Sequence, residues 1–343
     1  MELSRRVFLA IRPVRTRQAM LATVLASVLV VADGKRAVSE LKPPVPIKEV
    51  AVTFDDLPLN GPDIPIERLK DMTARLIAVI RENQIPIAAF VNEIKLQKPG
   101  EVEQRTALLR MWLKAPAELG NHTYSHLDLQ RTDLATYEQD VIRGEATISK
   151  VMQERGQKVR YFRYPFLHTG PDIPTRKAFE SFLQSRGYIN APVTIDNSDW
   201  AFNSVYENAL KRGDIELARR VETAYVDYVP KIVDFFEQMS SDVLKRQVRH
   251  ILLLHANELN AAHMAEIVAI FKQKGYRFIA MERALEDKAY SLPDSYAGPM
   301  GVSWLERWAF SQGMKMRVAE EPDPPEFVNK LYREYNRPAP SSN

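Results

Sequence analysis

Not one of the 343 residues is a cysteine. That excludes disulfides, thiolate metal sites, iron–sulfur clusters and cysteine nucleophiles together, so a metal in this chain must be held by His, Asp and Glu. The body of the chain also lacks a surplus of positive charge. The formal net charge is +3, but residues 1–32 hold five arginines (Arg5, Arg6, Arg12, Arg15, Arg17) against Glu2 alone, which leaves 42 basic and 43 acidic residues in the remainder. A body with no cationic stripe and no nucleic-acid motif excludes nucleic acid as the partner. The uncharged apolar run Ala19–Ala32 has 14 residues, short of the roughly 20 that a membrane-spanning helix needs. No internal repeat is evident. With 45% apolar and 27% charged residues, the chain is neither collagen-like, low-complexity nor wholly disordered.

What is present is first a leader. Its arginines precede the apolar run, and Val30-Val31-Ala32 before Asp33 offers a small-residue cleavage site, which together predict a signal peptide over residues 1–32. Ser4-Arg5-Arg6-Val7-Phe8-Leu9 also resembles a twin-arginine export signal, although three more arginines separate that pair from the apolar run. An uncleaved N-terminal anchor and a buried helix are the alternatives. Export to the periplasm or the extracellular space is the expectation, with contact to a membrane only through this leader. Residues 33–46 read as a linker, Pro-rich over Leu41–Pro46.

From residue 47 to 285, strand-like runs alternate with segments of helical period. The runs are Val50–Phe54, Ile87–Val91, Leu119–His122, Val159–Arg163, Tyr188–Ile195, Ile251–His255 and Tyr276–Ala280. Between them, Ile66–Arg81 places Leu69, Met72, Leu76, Ile77 and Ile80 on one face. Thr132–Met152 reads as another helix, as do Arg176–Arg186 and Ala261–Lys274, the last two ending at Gly187 and Gly275 as helix C-termini do. Seven strands alternating with helices predict a parallel α/β sheet, doubly wound or closed into a barrel. Asn203–Arg249 is long for one crossover and predicts two helices or one helix kinked at Pro230. Residues 286–343, with Tyr290, Tyr296, Trp304 and Trp308 before a polar end, predict a cover packed on the domain and a frayed tail.

Ionisable residues fall where the strands end. Asp55-Asp56 follow the first strand, His122 and His126 close the third, Arg163 the fourth, Asp196 and Asp199 follow the fifth, and His255 ends the sixth. In parallel sheets and barrels these ends form one rim, where active sites are built. Each has a plainer reading. Asp55-Asp56 could be a turn pair before Pro58, Arg163 a loop salt bridge, and His255 a satisfied core histidine. Two histidines four apart on a helical turn can face one metal, and two His with one carboxylate leave open positions for water and substrate.

Taken in order, Thr53-Phe54-Asp55-Asp56, His122-Thr123-x-x-His126, Arg163-x-Pro165-Phe166, Asp196-x-x-Asp199-Trp200 and Leu253-x-His255 resemble the five motifs of the NodB-homology polysaccharide deacetylases, carbohydrate esterase family 4. The resemblance spans about residues 47–285 and implies a distorted (β/α) barrel of about seven strands. It implies that Asp56, His122 and His126 hold a divalent metal, Zn²⁺ before Co²⁺, Ni²⁺ or Mn²⁺, which polarises the acetyl carbonyl and acidifies its water. By the same resemblance Asp55 is the general base, oriented and kept ionised by Arg163. His255 is the general acid, its pKa raised by Asp199. The Phe166 backbone N–H faces the oxyanion, and Trp200 and Leu253 line the acetyl pocket. Phe166 stands where the family commonly has tyrosine, and His255-Ala256-Asn257-Glu258 departs from the family's usual Asp after the histidine. His168 reads as a loop histidine without a role, with substrate contact as the sharper alternative.

The expected activity is removal of N-acetyl groups from an envelope or extracellular polysaccharide, peptidoglycan or chitin-like. The alternatives are the same chemistry on a formyl group, an acetyl ester or a small amide, and a non-catalytic carbohydrate-binding member of the fold.

Overall fold

In the computed structural model, residues 47–336 are described; the predicted leader (1–32), the predicted linker (33–46) and the tail from 337 lie outside them. Eight strands form one sheet: β1 (Lys48–Leu57), β2 (Ile87–Val91), β3 (Ala117–Asn121), β4 (Tyr161–Phe162), β5 (Ile189–Asn190), β6 (Ile195–Asp196), β7 (His250–His255) and β8 (Tyr276–Phe278). Their order is β5-β4-β3-β2-β1-β7-β6, with β8 beside the start of β1, and every pairing is parallel. The sheet curls into a half-barrel, a distorted (β/α) barrel whose rim at the C-terminal strand ends carries the residues singled out above. β1 lies at its centre and is buried on both faces from Glu49 onward, as expected of a parallel strand covered on both sides.

The helices are α1 (Ile66–Glu82), α2 (Val102–Trp112), α3 (Leu134–Arg143), α4 (Ala146–Gln153), α5 (Ile173–Ser185), α6 (Asp199–Arg212), α7 (Ile215–Leu244), α8 (Glu258–Gln273), α9 (Met281–Leu285), α10 (Trp304–Ser311) and α11 (Glu326–Tyr335). On α1 the buried face is the predicted one: Leu69, Met72, Leu76, Ile77 and Ile80, with Thr73. None of the helices among the described residues is long and apolar enough to cross a membrane.

Three local expectations need correction. The run Tyr188–Ile195 is two short strands rather than one, because Pro192 lacks the N–H a ladder needs. β5 and β6 do not pair, so the barrel stays open between them. Thr132–Met152 is two helices, α3 and α4, parted at Gly144. A Cβ there would lie 2.8 Å from the Thr123 carbonyl carbon and 2.9 Å from Asn121 Oδ1, so the break lets the chain pass close under the loop after β3. In Asn203–Arg249 the break falls at Gly213-Asp214, not at Pro230. Gly213 adopts φ 71° as the C-cap of α6 and the Asp214 side chain accepts from Leu217 N to start α7, which runs on through Pro230.

The C-terminal cover closes the open seam. Trp304 N donates to Val193 O at 2.8 Å and Ser303 Oγ to Thr194 O at 3.0 Å, satisfying carbonyls of the segment that joins β5 to β6. Trp304 and Trp308 are buried, which is packing rather than an open sugar platform or interface. The cover also meets the rim: a Cβ on Gly301 would stand 1.7 Å from the Phe166 carbonyl oxygen, so only glycine allows the approach. The stretch read as a polar tail contains a helix, α11, laid against α6.

Candidate active site

One cavity of about 720 Å³ opens on the rim, lined by Asp55, Asp56, His122, His126, Phe166, Leu253 and His255 together with residues of α6 and α11. That volume suits a small ligand or one end of a larger one. Arg163 and Asp199 lie directly behind it, fully buried. The structure thus brings all ten predicted site residues to one place.

The candidate metal ligands come from the end of one strand and the loop after another. Asp56, near the end of β1, has φ 67°, and its Oδ2 accepts from Asn60 Nδ2 at 2.7 Å. The other oxygen, Oδ1, is buried without a hydrogen-bond partner, although the Lys95 ammonium stands 3.1 Å away. His122 and His126 do not share a helical turn, as the four-residue spacing suggested. They sit on an irregular loop where Thr123 (φ 64°) and His126 (φ 59°) are both left-handed, a strain held by Thr123 N→Asn121 Oδ1 (2.7 Å), His126 N→Thr123 Oγ1 (2.9 Å) and Asn92 Nδ2→His122 O (2.6 Å). His122 Nδ1 lies 2.8 Å from the Arg163 carbonyl. A carbonyl only accepts, so Nδ1 carries the proton and Nε2 keeps its lone pair, 4.0 Å from Asp56 Oδ1. His126 Nε2 is 3.5 Å from the same oxygen.

Charge states agree with that arrangement. Burial pushes both imidazoles down to about 4, against the pull of Asp56, so both are neutral at pH 7. Burial alone would raise Asp56, but Lys95 and the two imidazoles hold its carboxyl well below the usual range. An ionised carboxylate with a free oxygen and two neutral imidazoles, their ligand atoms within 4.8 Å of one another, is a donor set that fits a divalent cation of borderline softness.

Asp55 is the neighbouring carboxylate. Arg163 Nη1 lies 3.2 and 3.3 Å from its two oxygens, and Arg163 Nη2 donates to Thr53 Oγ1 at 3.2 Å. The guanidinium also sits 4.6 Å from the Phe90 ring centroid. Arg163 opposes the protonation of Asp55, as expected, but burial outweighs it and the net shift is upward. Arg163 therefore orients this carboxylate more than it acidifies it.

His255 ends β7. Its Nδ1 meets Asp199 Oδ1 at 2.8 Å and its backbone N donates to Asp199 Oδ2 at 2.8 Å. Burial would lower this imidazole, but Asp199, with Asp56 and Asp55 beyond it, holds it up at about 9. Asp199 itself is saturated, accepting also from Asn257 Nδ2 (3.0 Å) and from Asn260 Nδ2. Tyr225 of α7 continues the chain of bonds, donating to Asn260 Oδ1 (2.6 Å) and accepting from Asn197 Nδ2 (2.9 Å). The long insertion thus backs the His255–Asp199 pair.

The remaining predicted residues differ in exposure. Leu253 is buried at the cavity wall and Phe166 is 54% exposed with its ring edge-on to His126, centroids 4.5 Å apart. Trp200, on α6, meets Tyr332 of α11 edge-on at 5.1 Å. His168 lines the cavity with Nδ1 2.8 Å from Asp128 Oδ1. Sequence reasoning missed Asn60, Lys95, Asn260 and Tyr225 as partners. For Asn257 there was a signal, a helix-capping residue two positions past a strand-end histidine.

Residues 42–178 match the family model described as polysaccharide deacetylase. No curated protein matches the chain. Among solved structures, it is similar to a family 4 carbohydrate esterase from Streptomyces lividans in complex with acetate (19% identity, TM-score 0.43, covering 67% of this chain and 90% of that one). It is also similar to the peptidoglycan deacetylase PdaC from Bacillus subtilis (20%, 0.44, 70% and 91%). A third is a family 4 pseudoenzyme from Bacillus anthracis (15%, 0.46, 70% and 66%).

Proposed function

We propose that this chain, whose residues 42–178 match the family model described as polysaccharide deacetylase, is a metal-dependent hydrolase that removes N-acetyl groups from an envelope or extracellular polysaccharide of amino sugars, peptidoglycan or chitin-like. The observation that carries this reading is the pairing, across one cavity, of a carboxylate on an arginine with an imidazole on a carboxylate, beside an Asp–His–His donor set.

Asp56, His122 and His126 would hold the ion, Zn²⁺ by the preference of two imidazoles and a carboxylate. When bound, it supplies Lewis-acid polarisation of the acyl carbonyl and acidifies water. Asp55, fixed by Arg163, takes a proton from the attacking water, and the rise that burial gives its pKa makes it a better base than an exposed aspartate. His255, protonated at pH 7 because Asp199 holds it up at about 9, donates to the departing amine nitrogen. Asp55 accepts a proton and His255 gives one, the two roles that a base and an acid divide. The Phe166 backbone N–H faces the developing oxyanion, and Leu253 and Trp200 flank the acetyl methyl. The Arg-rich leader and its apolar run support export, which brings the site to such polymers.

The test is acetate release and bound-metal analysis on purified residues 33–343, with peptidoglycan, chitooligosaccharides and acetylated xylan, against Asp55→Asn. One metal per chain, and acetate from one substrate that the variant abolishes, is the expected result. Metal without acetate would redirect the chemistry to another acyl group. Absence of metal would favour a non-catalytic carbohydrate-binding protein and overturn the reading.

A further inference from the structure

The cavity extends away from the metal ligands along α6. Trp200, Asn203, Ser204, Glu207, Asn208 and Lys211 all line it, and their spacing of three and four places them on one helical face. From Trp200 to Lys211 this face runs about 16 Å, the span of several linked pyranose rings. Helices that pack on a barrel normally turn an apolar stripe inward and leave their polar face to bulk water. Here the polar face borders the cleft instead.

α11 makes the opposite wall. Tyr332 stands edge-on to Trp200, Asn336 Nδ2 donates to Ser204 Oγ at 3.0 Å, and the Arg212 guanidinium lies 4.6 Å from the Tyr335 ring centroid. Tyr332 and Asn336 both line the cavity. The stripe is also joined to the candidate metal centre: Asn203 Nδ2 reaches Asn60 O at 3.4 Å, and Asn60 holds Asp56.

At its middle is a polar group with unfilled capacity. Glu207 is 7% exposed, its Oε1 accepts from Asn203 Nδ2 at 3.1 Å, and its Oε2 has no hydrogen-bond partner. The carboxyl packs against Gly61, where a Cβ would come within 2.7 Å of Oε2. Among the described residues it has no salt-bridge partner, and burial pushes it up to about 7. A buried acceptor left open beside amides, a hydroxyl and an exposed indole is the chemistry that hydroxyl- and acetamide-bearing rings satisfy.

We propose that the α6 face and its α11 wall form a saccharide-binding track, which holds the neutral sugar rings flanking the one whose acyl group enters the catalytic pocket. The inference rests on the polysaccharide reading above and adds to it a demand for chain length. Residues 199–212 and 326–336 then select an extended polymer segment over a single sugar.

Binding tests this without turnover. In an Asp55→Asn background, affinities are measured by titration calorimetry for N-acetylglucosamine oligomers of two and six rings, and for peptidoglycan glycan fragments of matching lengths. The six-ring ligand of one series should bind roughly tenfold tighter than its two-ring member. Asn208→Ala, Tyr332→Ala and Glu207→Gln should each erase most of that preference while the melting temperature shows the fold retained. Equal affinity for short and long ligands in both series overturns the track, as does a length preference that survives all three variants. Acetate release by the wild type is scored separately. Its absence, with length preference intact and sensitive to the variants, would overturn the deacetylase reading and uphold the track.

Discussion

Two kinds of histidine face the same cavity. His122 and His126 are pushed down to about 4, whereas His255 is held up at about 9. Burial lowers all three. What differs is the group on the ring: a backbone carbonyl on Nδ1 of His122, and a carboxylate on Nδ1 of His255. His250 supplies the control. Buried in the same strand as His255, with Thr194 and Gln247 as its partners instead of a carboxylate, it is pushed down to about 3. A dipole cannot offset the desolvation of an imidazolium, and a full negative charge at 2.8 Å can. One partner atom therefore decides whether a buried histidine is a lone-pair donor or a proton donor.

The comparison breaks most severely if the two kinds are removed separately. Asp56→Ala should lower metal affinity by more than about 100-fold, beyond the 10–100-fold that an outer partner costs, with activity lost alongside. His255→Ala should keep one metal per chain and lose roughly 10²–10⁴-fold in turnover. Equal metal loss in both variants, read by equilibrium dialysis, would erase the distinction.

A smaller change converts one kind into the other. Asp199→Asn removes the charge and keeps the shape, so burial should prevail and the His255 pKa should fall below 6.5, followed by the imidazole proton shifts in an NMR titration. Turnover at pH 7 should fall about 10²-fold, as expected when a general acid is mostly unprotonated. A His255 pKa still near 9 would mean that Asp55 and Asp56, not Asp199, hold the proton.

The same pair makes a statement about stability. The His255 pKa is higher folded than unfolded, so the native state binds the extra proton between pH 6.5 and about 9. Its stabilising contribution is complete below pH 6.5 and is lost as pH rises through 9, with a slope of up to about 1.4 kcal/mol per pH unit. Urea unfolding across that range should show the decline in the wild type and a flatter profile in Asp199→Asn. The smallest effect belongs to Tyr225→Phe, which removes one hydroxyl from the bonds behind Asp199. It should cost about 1 kcal/mol and shift the upper limb of the pH–rate profile downward by a fraction of a unit.

The alternation of strands and helices and the residues at the strand ends were legible in the sequence, because a parallel sheet puts every strand end on one rim and motif order follows chain order. The outward path of the chain between those ends was not. The split at Pro192 follows from a missing donor, yet nothing local says that Ser303 and Trp304, more than a hundred residues on, will take the Val193 and Thr194 carbonyls. Asn60, Lys95, Asn260 and Tyr225 are ordinary polar residues in ordinary contexts. They matter only because the fold places them against Asp56 and Asp199. The helix spacing of His122 and His126 misled for the opposite reason: a left-handed Thr123 and His126 reach a shared focus that a helical turn would also have reached.

The seam between β5 and β6 is closed from late in the chain. In chain order all eight strands, with Asp55 and His255 among them, precede the segment that seals the gap. Without residues 303 and 304, the sheet has a breach where Val193 and Thr194 lack their donors. Without residues 326–336, α6 lacks its facing wall. A chain without residues 303–336 would therefore carry Asp55 and His255 in a barrel whose seam is unsealed.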